Sequence, residues 1–287
     1  MKIRLWGTRG SLATPGPETV RYGGNTSCVE VVGEDGTRLV LDAGTGIRRL
    51  GATLSEESSR VDVLLTHLHM DHIQGLGFFR PLDQPGQDVR VWGPPSSTQD
   101  LGTRLGRYLS PPLFPVRLKE LPCRLTLHEA PLEPFEIGAL RIEAALVCHP
   151  GPTLGYRISE NGFTVAYIPD HEPVLGAGCI AKDREWISGF ELAEGADLLI
   201  HDSQYSLAEY PARVGWGHSA LSHALQFADK AGVRRFVTFH HDPGRDDDAL
   251  DRMVNEARMA LDLEMEIVAG TEGLQFESES VAFSATM

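Results

Sequence analysis

Short apolar runs separated by polar or glycine-containing turns recur along the whole chain. Each run is four to seven residues long and rich in Val, Ile or Leu, which predicts β-strands, several of them buried on both faces. The predicted strands are Cys28–Val32, Arg38–Leu41, Val61–Leu65, Val89–Trp92, Arg141–Val147, Leu154–Ile158, Phe163–Ile168, Asp197–Ile200 and Arg235–Phe239. The opening segment Met1–Trp6 predicts one further short strand.

Helical periodicity is clearest over Ser97–Tyr108, Ser219–Ala231 and Asp247–Leu261, and Gly232 is a suitable C-cap for the second helix. After residue 240 we expect one helix and a pair of strands. Grouped strands with interspersed helices predict an α/β fold of two sheets covered by helices. No segment has the length of a domain linker, so we expect a single domain over residues 1–287.

Composition narrows the classes of protein that fit. The chain has 287 residues, of which 41% are hydrophobic and 23% charged, as in ordinary globular proteins. Its net charge of −14 disfavours nucleic-acid backbones and anionic membranes as partners. No apolar stretch reaches the length of a membrane span, and no export signal is visible at the N-terminus. Four cysteines without paired spacing indicate a reducing cytoplasm.

The segment Thr66-His67-Leu68-His69-Met70-Asp71-His72 carries the strongest chemical signal. Three histidines and one aspartate fall within six residues, directly after a predicted buried strand. Neutral imidazole and carboxylate are ligands that suit zinc, iron and manganese. The sequence therefore predicts a metal site at the end of this strand.

This segment matches the HxHxDH signature of the metallo-β-lactamase superfamily, which the chain resembles over nearly its whole length. The resemblance implies a four-layer αββα sandwich and two divalent metal ions, with zinc expected and manganese or iron also fitting the ligands. It implies one site of His67, His69 and His149, a second of Asp71, His72 and His240, and Asp170 between them. His241 competes with His240, because side chains alternate along a strand and only one can point inward; the family pattern favours His240.

Asp42, in Leu41-Asp42-Ala43-Gly44, also matches a motif of this superfamily. The resemblance implies that its carboxylate orients a ligand histidine through the ring nitrogen that does not bind metal. The alternative is a helix N-cap ahead of Thr45–Leu50.

Two further regions resemble the ribonuclease Z and cyclic-phosphodiesterase branch of the superfamily. The first comprises Gly7–Ser11 and Arg21–Cys28, whose glycine loops could cradle a phosphate with backbone N–H groups or form ordinary turns. The second comprises Ile200–Ser203 and Gly215–Ala220. There the resemblance makes His218, expected at a helix N-terminus, a hydrogen-bond donor or acid toward a phosphoryl group. The expected catalytic residues are Asp71, His218 and Asp202, whereas His128, His171, His201 and His223 are not expected to be catalytic.

These features favour a small phosphodiester as substrate, such as a cyclic nucleotide or a cyclic ribose phosphate, attacked by a metal-bridging hydroxide. Only about twenty residues separate His149 from Asp170, which leaves no room for the long arm that grips tRNA in this branch. Together with the acidic charge, this makes tRNA an unfavoured substrate. The loop Arg107–Phe114 could wall a base or sugar pocket or simply pack. A lactonase or carboxylic-ester hydrolase and a non-catalytic nucleotide-sensing module remain alternatives, and a homodimer is compatible with the sequence.

Overall fold

The computed structural model describes residues 1–54, 60–175, 179–261 and 263–278. The strands are β1 (Lys2–Gly7), β2 (Cys28–Val32), β3 (Arg38–Leu41), β4 (Arg60–Leu64), β5 (Asp88–Gly93), β6 (Arg124–Glu129), β7 (Phe135–Ile137), β8 (Leu140–Leu146), β9 (Leu154–Glu160), β10 (Phe163–Ile168), β11 (Leu198–Asp202), β12 (Arg235–Phe239), β13 (Glu266–Ala269) and β14 (Gln275–Glu277). The α-helices are α1 (Ile47–Thr53), α2 (Met70–Ile73), α3 (Leu101–Leu105), α4 (Phe190–Ala193), α5 (Leu221–Lys230) and α6 (Asp247–Ala260).

The strands form two seven-stranded mixed sheets. The first sheet has the order β14-β1-β2-β3-β4-β5-β6, and its strands from β3 to β6 run parallel. The second has the order β13-β12-β11-β10-β9-β8-β7, and its strands from β10 to β13 run parallel. The remaining neighbours in both sheets are antiparallel.

Three apolar clusters define four layers. The central cluster lies between the sheets and joins Leu41 of the first sheet to Tyr167 and Val237 of the second. One outer cluster packs α5 and α6 on the second sheet, and the other packs α1 and α3 on the first. This arrangement confirms the predicted αββα sandwich, because each sheet buries one face against the other sheet and one against helices.

All ten predicted strands are present, with ends within two residues of the prediction. The predicted helix over residues 97–108 is shortened to α3, since the Asp100 side chain accepts a hydrogen bond from the Thr103 N–H and caps it there. The strand pair expected after residue 240 is wrong. β13 pairs with β12, whereas β14 joins the other sheet beside β1.

The carboxyl ends of the parallel strands converge at one edge of the sandwich. β3 and β4 lead into Asp42 and the segment 66–72, while β10 and β12 lead into Asp170 and His240. Active sites of open α/β sheets lie at such edges, where loops leave a rigid frame. In the described part of the chain no helix is long and apolar enough to cross a membrane.

Candidate metal centre

All seven residues expected to hold metal lie together at this edge. Asp170 is at the centre, and each of its oxygens faces a different group of histidines. Oδ2 lies 3.7 Å from Nε2 of both His67 and His149, and Oδ1 lies 3.0 Å from His72 Nε2 and 3.4 Å from His240 Nε2. A carboxylate in this position can bind one cation through each oxygen.

The two groups are completed by His69 and Asp71. His69 Nδ1 lies 3.2 Å from His149 Nε2 in the first group. Asp71 Oδ2 lies 3.0 Å from His240 Nε2 and 3.3 Å from His72 Nε2 in the second. Donor atoms bound to one zinc ion at about 2.0–2.1 Å in tetrahedral geometry would be about 3.4 Å apart. The observed spacings therefore suit one cation in each group.

Residues around the cluster engage the ring nitrogens that face away from it. His72 Nδ1 lies 2.8 Å from Asp42 Oδ2, and His149 Nδ1 lies 2.8 Å from the carbonyl oxygen of Gly217. His240 Nδ1 lies 3.0 Å from Gln204 Oε1. Such contacts fix the tautomer that leaves Nε2 with a free lone pair.

Buried polar atoms without a hydrogen-bond partner provide a direct test of whether cations fit. Nε2 of His67, Nε2 of His72 and Oδ1 of Asp170 are all in this state, because the 3.0 Å contact between the last two atoms does not have hydrogen-bond geometry. An unpaired buried polar atom costs about 1–3 kcal/mol. The convergence of these three atoms on one centre is explained if each one coordinates a divalent ion. The residues therefore fit the divalent metal ions that the sequence predicts.

Asp42 orients His72 as expected and does not cap a helix. Its fully buried carboxylate accepts hydrogen bonds from the Thr66 N–H at 2.7 Å, from the Thr66 hydroxyl and from the Tyr167 hydroxyl at 2.9 Å. Its φ of +60° lies in the left-handed region, which Asp and Asn tolerate better than most residues. Helix α1 begins instead after Gly46, without a side-chain cap.

The structure distinguishes His240 from its competitor His241. His240 Nε2 faces Asp71 and Asp170, whereas His241 Nε2 donates to the carbonyl of Gly270, away from the cluster. His240 has a φ of +57°, a strained conformation for a non-glycine residue that the surrounding structure has to hold. Gly10 packs so closely on its ring that a Cβ atom there would lie 2.3 Å from His240 Nδ1.

His218 and Asp202 form a buried pair beside the cluster. His218 Nδ1 lies 2.7 Å from Asp202 Oδ2, and the His218 ring stacks on His240 with centroids 4.8 Å apart. Burial opposes the charged ring, but the Asp202 carboxylate outweighs it and raises the pKa of His218 to about 9. His218 was expected at a helix N-terminus, but it lies two residues before Ala220, the N-cap of α5.

Glu172 is a residue of the site that the sequence did not reveal. Its carboxylate accepts hydrogen bonds from the Tyr210 hydroxyl and from the N–H groups of Gly215 and Gly217. It thereby fixes the loop that supplies both the carbonyl under His149 and the His218 side chain. A single glutamate has no local signature, because its partners lie about forty residues further along the chain.

Of the two interpretations of the N-terminal glycine loops, ordinary turns fit the segment Gly7–Ser11 better than a phosphate cradle. The N–H groups of Thr8 and Arg9 donate to the Asn25 carbonyl, that of Gly10 donates to His241, and that of Ser11 donates to Asp71 Oδ2 at 2.7 Å. These donors are therefore not available to a substrate. The buried Arg9 guanidinium further ties this loop to the carbonyls of residues 23, 242 and 245.

A cavity of about 680 Å³ opens beside His67 and His69. Tyr108 and Leu113 line it, so the loop Arg107–Phe114 does wall a pocket, while Phe114 packs in the core as the alternative had it. Of the four histidines not expected to be catalytic, His171 and His201 are buried against each other, His128 stacks on Trp92, and His223 packs on Tyr210.

Comparison with known proteins places this chain in a family. The family model described as "Beta-lactamase superfamily domain" matches residues 37–241, and the chain belongs to that family. It is similar to the protein named ribonuclease Z of Kineococcus radiotolerans, with 24% identity over 79% of this chain and 81% of the relative. It is also similar to ribonuclease Z of Myxococcus xanthus, with 29% identity over 77% of this chain and 82% of the relative.

Solved structures agree on the fold. The metallo-β-lactamase fold protein YhfI from Bacillus subtilis superposes with a TM-score of 0.71 at 19% identity, over 96% of this chain and 99% of YhfI. A structure described as a new diphosphatase from the PhnP family gives a TM-score of 0.68 at 18% identity, over 97% of this chain and 98% of that one. The family and fold predicted from the sequence are confirmed, and with them the class of metallo-β-lactamase-type hydrolase.

Proposed function

We propose that this hydrolase is a divalent-metal-dependent phosphodiesterase that acts on a small phosphodiester, such as a cyclic nucleotide or a cyclic ribose phosphate. The observation that carries the proposal is the position of His218. Its ring lies 4.8 Å from that of His240 and 5.1 Å from that of His149, and Asp202 holds it there. A fixed N–H donor beside a centre that would hold two cations suits a phosphodiester, whose two non-bridging oxygens share one negative charge.

The proposed roles follow from the contacts. His67, His69, Asp71, His72, His149, Asp170 and His240 would hold two cations, with Asp170 between them. When bound, two divalent ions polarise phosphoryl oxygens and activate water. Asp202 engages Nδ1 of His218, so that Nε2 is the nitrogen left to donate to a phosphoryl oxygen or to the leaving oxygen. The N–H of Ser11 orients the Asp71 carboxylate toward the cluster.

Two observations favour a small substrate over tRNA. Between His149 and Asp170 the chain forms only the β9–β10 hairpin, which turns tightly at Asn161 and Gly162. The net charge of −14 opposes the approach of a long polyanion. The relatives named ribonuclease Z nevertheless make precursor tRNA the competing substrate to test.

The test is a substrate panel on the purified protein after loading with zinc or manganese. It contains bis-p-nitrophenyl phosphate, 2′,3′- and 3′,5′-cyclic nucleotides, a precursor tRNA and a homoserine lactone. We expect hydrolysis of the small phosphodiesters and a loss of about 10²–10⁴ in kcat for His218→Ala with unchanged metal content. His128→Ala changes a histidine of β6 that stacks on Trp92 and is not among the expected ligands, and it should leave kcat intact.

Each other result points to a different function. Preferred cleavage of the precursor tRNA would make the protein a ribonuclease, and turnover of the lactone alone would make it a carboxylic-ester hydrolase. Tight nucleotide binding without any turnover would favour a sensing module. Full activity of His218→Ala would remove that residue from the mechanism.

A further inference from the structure

The cavity beside the cluster is lined by both apolar and charged side chains. Tyr108, Leu113, Pro94 and Pro152 supply flat or apolar surface, and His67 and His69 form its inner end. If the scissile phosphodiester of the proposed function lies at the cluster, the rest of the substrate extends into this cavity. Flat apolar walls of this kind suit a base or a sugar face.

Two arginines line the same cavity, and their charges are compensated differently. Arg104 Nη2 donates to the Pro94 carbonyl at 2.7 Å and lies 3.6 Å from Glu129 Oε1, so its charge has a carboxylate partner. Arg107 Nη2 donates to Gln99 Oε1 at 2.6 Å, which is a neutral amide. Among the described residues no carboxylate lies within 4.0 Å of the Arg107 guanidinium.

Of the described arginines without a carboxylate within 4.0 Å, which include Arg157 and Arg213, Arg107 is the one that lines this cavity. The Gln99 amide holds one N–H of the guanidinium, and a guanidinium has five. Paired N–H groups of arginine match the oxygens of a phosphate in a two-point contact. Arg107 therefore presents a guanidinium with further N–H donors at a wall of the cavity.

We propose that Arg107 binds a second phosphate of the substrate, so that the preferred substrate is a phosphodiester carrying an additional phosphate monoester on its nucleoside. This inference rests on the proposed function for the position of the scissile group. It assigns to Arg107 a role in specificity and none in bond cleavage. Because Arg107 is exposed, the contact is screened by salt, and the preference is expected to weaken as ionic strength rises.

The experiment compares two chromogenic esters that differ by one phosphate. Thymidine 5′-(p-nitrophenyl phosphate) has the diester alone, and its 3′-phosphorylated form adds the monoester. We expect about tenfold higher kcat/KM for the phosphorylated ester, mainly through KM. Arg107→Gln should abolish this preference, and Arg107→Lys should retain part of it.

Arg141→Gln is the matched control, because it removes one exposed positive charge from β8 and leaves the cavity intact. Equal kcat/KM for the two esters, or a preference that survives Arg107→Gln, overturns the inference while leaving the phosphodiesterase proposal standing. If neither ester is cleaved, the substrate panel above still decides the proposed function, and calorimetry decides the inference separately. The inference then requires that thymidine 3′,5′-bisphosphate binds about tenfold more tightly than thymidine 5′-monophosphate. It also requires that Arg107→Gln removes this difference in affinity.

Discussion

Asp42→Asn offers a sharp test of how the chain prepares its metal ligands. The substitution preserves shape, and Asn tolerates the φ of +60° at this position as Asp does. What it changes is the group facing His72 Nδ1, where an acceptor oxygen becomes an N–H₂ donor. To avoid facing donor with donor, the ring has to carry its proton on Nε2.

A proton on Nε2 removes the lone pair that would bind a cation, so the variant has to reverse this tautomer before binding. Loss of an orienting partner of this kind costs about 10- to 100-fold in metal affinity, which is about 1.4–2.7 kcal/mol. The Tyr167 hydroxyl also loses its acceptor, so a drop in folding stability of about 1–3 kcal/mol is expected alongside.

The assay is a competitive zinc titration against a chromophoric chelator, with circular dichroism to verify folding. Asp62→Asn is the matched control, since Asp62 is a buried aspartate of the same sheet that binds Arg60 and Trp92 and no histidine. Its zinc affinity should equal that of the unmodified chain. Unchanged zinc affinity in folded Asp42→Asn, or an equal loss in Asp62→Asn, would refute the tautomer argument.

Three further predictions concern the cluster and its surroundings. Gly10→Ala would place a methyl group 2.3 Å from His240 Nδ1 and should lower the affinity of the second site at least about tenfold, measured as bound zinc per chain, whereas Gly244→Ala should not. Chelation should lower the melting temperature, because the facing histidines lose their shared ligand; a stable apoprotein with an unchanged melting temperature would contradict this. Burial lowers the pKa of His201 to about 4. The stability that depends on the neutral His201 ring is therefore complete above about pH 6.5. It falls by about 1.4 kcal/mol per pH unit as the pH drops toward 4. His201→Gln should flatten that slope in urea unfolding at pH 7, 5.5 and 4.5, and an identical slope in both proteins would exclude His201 as its source.

The strands and the metal-binding motif could be predicted from the sequence because each one is encoded by a few consecutive residues. The apolar run Phe163–Ile168 is buried on both faces of its sheet. A continuous apolar run of this length predicts a strand without knowledge of the neighbouring strands. The segment 66–72 carries four of the seven expected ligands within a few consecutive residues. The remaining ligands followed from resemblance, and the structure places them on the same centre.

What could not be predicted depends on distant partners. The sequence could not decide whether the N–H groups of the glycine loop are free for a phosphate, and the structure shows that residues 25, 71 and 241 accept their hydrogen bonds. Glu172 acts through a loop about forty residues further along the chain. The place of Arg107 in the cavity wall, with no carboxylate of the described residues beside it, likewise depends on the fold. Likewise the local sequences of β13 and β14 do not identify their partners, and only the pairing in the fold shows which sheet each one joins.

The pairing of β1 with β14 has a consequence for synthesis of the chain. β1 lies second from the edge of its sheet, yet its outer neighbour is the last described strand, which pairs Lys2 with Glu277. While the chain is still emerging from the ribosome, β1 therefore presents open backbone N–H and C=O groups along one side. A polypeptide released before residue 275 would keep that open edge and should self-associate through it.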